Sequence, residues 1–275
     1  MSNNPLQQYF RQPKVFITLP SMGIYNKPGT LNGSPDNMPI FGMTGMDEIL
    51  LKTPDALLTG ESTVKVIQSC CPTITNGWDV SNLDIDALLV AIRIATSGNI
   101  MNITHTCAAC STENDYEINV STFLDHFATC KFDSKVVVGD LVVRLQPLNY
   151  KQVTEFQLEN FVLQKRLYQS IDITNDEEKN KLLADVYQEL AVLQNRIYIA
   201  SIEKIEMGST VVTEKPFIQE WVENSDKAVF DQLKEQIEKN NDTWKIPESP
   251  IKCETCGAED SVQLDLDQAS FFAGA

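Results

Sequence analysis

The chain has 275 residues, 43% of them hydrophobic, enough to bury a core in one large domain or two modest ones. Its 22 Lys and Arg against 38 Asp and Glu leave a net charge of −16 with no Lys/Arg-rich stretch, which argues against nucleic-acid binding, where clustered cations neutralise phosphates. The polar opening Met1–Lys14 lacks an apolar signal core, and the longest purely apolar run, Ala87–Ile92, is far short of a membrane span, so a soluble protein of a reducing compartment is expected.

Residues 1–43 read as an extended N-terminal segment. Val15–Leu19 is a strand candidate closed by Pro20, followed by a loop rich in Gly, Pro and Asn from Ser21 to Met43. Such a loop either runs along a partner or lies solvated on the surface. Residues 44–97 read as a helical part. Thr44 and Asp47 have capping-box spacing for a helix to about Lys52, and Thr53-Pro54 restarts a short one. Glu61–Cys71 is a third helix, with Val64, Ile67 and Cys71 on one face. Ser81–Thr96 is a fourth, with Ile85, Leu88, Leu89 and Ile92 facing inward and Gly98 at its C-terminal cap. Asp84 and Asp86 sit near its start, where solvated negative charge suits the helix dipole.

Residues 98–134 hold strand Asn99–Thr106, a tight turn carrying two cysteines, and strand Tyr116–Val120. Residues 135–245 read as an inserted helical hairpin region. It opens with a β-hairpin over Val136–Val143 that turns at Gly139-Asp140. Leu183, Val186, Leu190, Leu193 and Ile197 then repeat at coiled-coil spacing, with Val153–Leu167 as the antiparallel partner through Phe156, Leu163 and Leu167. This helix pair is either ordinary bundle packing or a protruding contact surface. A hairpin around Gly208 and helices near Phe217–Val222 and Ser225–Lys239 follow. Residues 246–275 complete the chain, and Phe271-Phe272 either tuck onto the domain or dock on a neighbour.

Seven cysteines are present, and four form the pairs Cys107-Ala108-Ala109-Cys110 and Cys253-Glu254-Thr255-Cys256. A two-residue spacer lets both thiolates of a knuckle face one ion, and two knuckles complete a tetrahedron. The 142 residues between Cys110 and Cys253 are unusual for such a site. An internal repeat supports the pairing: residues 107–120 (CAACSTENDYEINV) align with residues 253–266 (CETCGAEDSVQLDL) as knuckle, polar turn and alternating strand. The expected fold is therefore α+β: a helical N-terminal part, a four-cysteine zinc ribbon of two CxxC knuckle-strand units, and a long, mainly helical insertion between them. Cys107, Cys110, Cys253 and Cys256 are the expected ligands of a structural Zn, with no open position for an activated water. A redox CxxC is the competing reading, but neither pair sits in a βαβ pattern. His105 is a substitute ligand in principle and a strand residue by preference. Cys70, Cys71 and Cys130 read as small apolar residues, and an odd cysteine total speaks against a disulfide framework.

No catalytic constellation emerges. With His105 and His126 as the sole histidines, a Ser-His-Asp triad has little to recruit, and Walker A, GxGxxG, HExxH and GxSxG motifs are absent. The expectation is a protein that is not an enzyme.

Several segments carry a likeness to a known family: Leu6–Pro13, Met43–Ile49, Leu51–Leu58, Val64–Cys70, Asp84–Leu89 and Ala91–Ala95, followed by the first CxxC. Over roughly residues 5 to 125 the chain resembles the T-even-type bacteriophage baseplate proteins, hub components of contractile tails. The resemblance implies a structural subunit of a multi-subunit assembly, built in host cytoplasm and carried in the virion tail. Its implied partners are other phage baseplate hub and tail proteins, and it brings no catalytic residues. The alternative is a tail or hub assembly chaperone absent from the mature virion.

Overall fold

The computed structural model describes residues 5–53, 59–264, 266 and 271–272. Among the described residues the fold is α+β, with eight α-helices and four small antiparallel sheets. The chain forms two compact units, residues 1–130 with 245–275, and residues 131–244.

In the first unit, β1 (Pro13–Ile17) pairs with β2 (Met38–Phe41) in the register Val15↔Ile40 and Ile17↔Met38, with Ile17, Met38 and Ile40 turned inward. The intervening loop is folded onto the unit: Leu19 and Thr30 are buried, Leu31 bridges to Ile74, and the Asn32 N–H donates to the Thr73 carbonyl at 2.7 Å. Arg11 fastens the preceding segment. Its guanidinium donates to the Gly42 carbonyl and to the Ser69 carbonyl and hydroxyl at 2.7 and 2.8 Å, and sits 3.5 Å from the Asp47 carboxylate.

The capping box at Thr44 is present, with Asp47 as its acidic partner, and starts α1 (Gly45–Leu51). The restart expected at Thr53-Pro54 lies outside the described residues. α2 (Glu61–Cys70) buries Val64, Val66, Ile67 and Cys70. The long α3 (Asn82–Ser97) is the core helix, capped by Ser81 and ended by Gly98 at φ 87°. Asp84 corrects the sequence reading. It is buried, because the loop after β1 covers the helix start, and its carboxylate accepts from the Ser21 N–H at 2.9 Å and from the Ser21 hydroxyl. Burial raises its pKa, against the pull of those Ser21 hydrogen bonds.

Phe271 and Phe272 are tucked in, packed edge to face with centroids 5.2 Å apart, and the Phe271 carbonyl accepts from Arg93 Nε at 3.1 Å. β3 (Ile100–Thr106) and β4 (Glu113–Asn119) form a hairpin. A helix with no counterpart in the sequence reading follows, α4 (Ser121–Thr129). It begins at Val120 without a side-chain cap bond and is held by buried Phe123 and Phe127, one turn apart.

The second unit contains more sheet than a helical insertion implies. β5 (Lys135–Val138), β6 (Leu141–Leu145), β7 (Ile202–Met207) and β8 (Thr210–Val212) make one four-stranded antiparallel sheet in chain order. The two hairpins expected separately are joined by β6–β7 pairing, with Val143 opposite Ile205 and Leu145 opposite Ile202. α7 (Lys215–Glu223) and α8 (Lys227–Thr243) supply Ile218, Val222, Leu233 and Ile237 to the core built on that sheet. Asn240, on α8, is buried and closes the entry to this unit. Its amide accepts from the Asp133 N–H at 3.0 Å and donates to the Asp133 carbonyl at 2.9 Å.

Between β6 and β7 the chain makes a helical hairpin, α5 (Tyr150–Gln169) and α6 (Asp176–Ala200), with Asn149 and Asn175 as N-caps. Its seam is Leu163, Val186 and Leu193, with Phe156, Leu167, Leu190 and Ile197 against them. Leu182 joins this cluster at the turn where the heptad spacing pointed to Leu183.

Candidate metal centre

Two short hairpins carry the paired cysteines. The first is β3–β4, and the second is β9 (Ser249–Lys252) with β10 (Glu259–Val262). Each turn hangs from an equivalent strand pair, Thr106↔Glu113 in one and Lys252↔Glu259 in the other. The backbone then repeats bond for bond. The Cys107 N–H donates to the Thr112 carbonyl and the Cys253 N–H to the Ala258 carbonyl, both at 2.9 Å. The Ser111 N–H returns to the Cys107 carbonyl at 2.8 Å, as the Gly257 N–H does to that of Cys253 at 2.9 Å. Closing the knuckle requires a left-handed residue after the second cysteine. Gly257 meets this at φ 75° without a Cβ conflict, whereas Ser111 holds φ 57° at some conformational cost.

The internal echo in the sequence thus corresponds to two matching knuckles, and the structure brings all four expected ligands together. The four sulfurs lie within 4.8 Å of one another, and the contacts across the two hairpins are Cys107–Cys256 at 3.7 Å and Cys110–Cys253 at 3.6 Å. Four thiolates about 2.3 Å from a tetrahedral zinc stand roughly 3.8 Å apart, so the cluster has the dimensions of such a site. Cysteine is also the donor that zinc prefers in closed sites.

The electrostatics point the same way. The N–H groups of Cys256 and Thr255 aim at Cys253 and bring its pKa down to about 6. Cys256 has a favourable N–H from Ala258, but Cys110, Cys253 and Cys107 crowd it and push it up to about 12. Cys110 is lowered as well, by hydrogen bonds from Thr112, so thiolates form readily at part of the cluster while Cys256 resists joining them. A divalent cation removes that conflict.

Asn114 is the residue that the sequence reading overlooked. It is buried, and its amide donates to the Thr112 carbonyl at 3.0 Å in its own knuckle and to Cys253 Sγ at 3.5 Å in the other. Its signal in the sequence is the aligned Asp260, which marks an equivalent position without revealing the reach across. His105 stands apart from the four sulfurs as a β3 residue, with Nε2 3.2 Å from the Asp260 carboxylate. Cys70 and Cys71 are buried, which pushes the Cys70 thiol up to about 12 and raises that of Cys71. Cys130 is the C-cap residue of α4, and burial raises its pKa as well.

Residues 44–273, which include both knuckles and the whole second unit, match the family model described as T4 bacteriophage base plate protein. The chain belongs to that family. The match continues through the insertion, where the likeness in the sequence had thinned, and begins after the Leu6–Pro13 segment. No curated protein and no solved structure matches the chain. Membership in the baseplate family ties it to a multi-protein phage assembly, the tail baseplate. Among its described residues no helix is long and apolar enough to cross a membrane. In this baseplate protein the cysteine cluster is compatible with zinc, and both CxxC pairs lie in hairpin turns. The helix N-terminus that activates thiols in disulfide oxidoreductases is not the setting of either.

Proposed function

We propose that this baseplate-family chain is a structural subunit of the hub of a contractile tail, acting through protein–protein interfaces, with zinc on Cys107, Cys110, Cys253 and Cys256 stabilising its fold. Family membership over residues 44–273 carries this reading. The cysteine geometry supports the zinc part: a four-thiolate shell is closed, so the ion contributes folding energy and activates no water. The second hairpin has particular need of it. β9 and β10 are four residues each, and a lone two-stranded hairpin is marginal in water.

On this reading the chain is not an enzyme, binds no nucleic acid, and meets its hub and tail partners in host cytoplasm before it is built into the particle. The test is its stoichiometry in purified virions, by quantitative mass spectrometry against known tail proteins. A fixed copy number per particle is the expected result. Absence from mature particles overturns the subunit assignment and makes the chain an assembly chaperone. Metal analysis of the purified protein is expected to give one zinc per chain, lost in Cys253→Ser.

A further inference from the structure

The α5–α6 hairpin contains a second internal repeat. Residues 159–166 read ENFVLQKR and residues 189–196 read ELAVLQNR, five identical positions at an offset of 30. Because the helices are antiparallel, the repeat gives the hairpin a local two-fold axis between Val162 and Val192. The two ion pairs obey it: Arg166 meets Glu189 at 2.6 Å and Arg196 meets Glu159 at 2.6 Å. The seam residues Leu163 and Leu193 are equivalent under the same axis.

Along this face runs an open groove of about 740 Å³, whose lining includes all four ion-pair residues together with Val162 and Val192. The two valines remain 50% and 55% exposed. Apolar residues at the centre of a helical face are ordinarily covered. The surrounding charges indicate by what.

Glu159, Arg166, Glu189 and Arg196 occupy the corners of a rectangle with like charges on the diagonals. If that rectangle is turned face down about an axis parallel to the helices, every Glu lands on an Arg. The same holds for an axis across them. A partner surface of uniform sign would instead face two mismatches. Asp185 is the remaining charged residue lining the groove. We propose that this face is a homodimer interface, where a second copy of the chain packs hairpin against hairpin to complete a four-helix bundle. A face roughly 30 Å long and 20 Å wide buries on the order of 1,200 Å² over both copies, at the lower edge of stable interfaces. This inference does not depend on the zinc site or on the hub assignment.

The test is the mass of the full chain by light scattering and sedimentation from roughly 1 to 100 µM, the range such an area predicts. The mass is expected to double with concentration. Val162→Asp with Val192→Asp is expected to hold the chain monomeric throughout, with unchanged helix content by circular dichroism. A second variant reverses all four corners: Glu159→Arg, Arg166→Glu, Glu189→Arg and Arg196→Glu. It keeps both pairs within the hairpin and its own self-match, so it is expected to dimerise with itself and at least tenfold less with the unaltered chain. A wild-type chain that is monomeric across the range overturns the proposal. So does a dimer that survives the valine changes, or free mixing of reversed and unaltered chains.

Discussion

Asn114 offers the most direct measurement of how the two knuckles are held. The residue is 9% exposed and its side chain spans both halves of the cluster, with 3.0 Å to the Thr112 carbonyl and 3.5 Å to Cys253 Sγ. A hydrogen bond to a charged acceptor contributes about 1.5–3 kcal/mol, and sulfur, a weak acceptor, places this one at the lower end. Losing about 1.5 kcal/mol from the bound state corresponds to roughly tenfold weaker zinc, the lower bound for groups that support metal ligands. Asn114→Ala is therefore expected to weaken zinc by about ten- to thirtyfold in competition with a chromophoric chelator. Asn114→Asp places a carboxylate against the thiolate and is expected to be worse than alanine, with the difference shrinking at low pH as the acid protonates. Equal zinc affinity in the native and alanine proteins would refute the claim that this amide supports the site. Loss of zinc binding in Asn114→Asp alone would assign the effect to introduced charge.

Three other outcomes follow from single contacts. Asp86 is half-buried on α3, and desolvation lifts its pKa from 3.8 to about 6. The penalty for ionising it in the fold is thus absent below about pH 4 and complete above about pH 6, so its share of stability falls across that window. Asp86→Asn is expected to add about 3 kcal/mol at pH 7 and to flatten that part of a urea-unfolding pH series. A Cβ on Gly42 would lie 2.8 Å from the Ala95 carbonyl oxygen, so Gly42→Ala must shift backbone and is expected to cost about 1–3 kcal/mol in thermal unfolding. Asn240→Leu leaves the Asp133 N–H and carbonyl without their partner and is expected to cost about 2 kcal/mol, read in the unfolding of the 131–244 unit by tryptophan fluorescence.

What could be read from the residues alone was mostly local. Thr44 with Asp47, and Ser81 with Gly98, mark helix ends through bonds within a few residues, so their positions were visible. The heptads of α6 were visible for the same reason. The four cysteines were placed together by the echo in their surroundings, which outweighed a long separation. The misreadings are non-local. Asp84 looked solvated because Ser21, which covers it, is 63 positions away, and Asn114 finds its sulfur 139 positions away. The four-stranded sheet depends on β6 meeting β7 across an intervening helical hairpin, a pairing that neither strand's own pattern specifies. α4 has no capping residue to announce it, and two phenylalanines four apart, Phe123 and Phe127, do not by themselves mark a helix. The α5–α6 repeat was in plain view, but heptad spacing alone had already accounted for its leucines.

The separation of the two knuckles also bears on how the chain is made. At about 5–20 residues per second, the 142 residues between Cys110 and Cys253 take roughly 7–28 seconds to emerge from a ribosome. Throughout that interval the first hairpin exposes half of a site, and the entire 131–244 unit appears and can fold before the other half exists. Zinc held by all four cysteines would thus be acquired late, after the inserted unit, and a chain cut short between Cys110 and Cys253 would offer two of the four ligands and no closed shell. The proposed metal would then separate finished chains from unfinished ones before either meets an assembling tail.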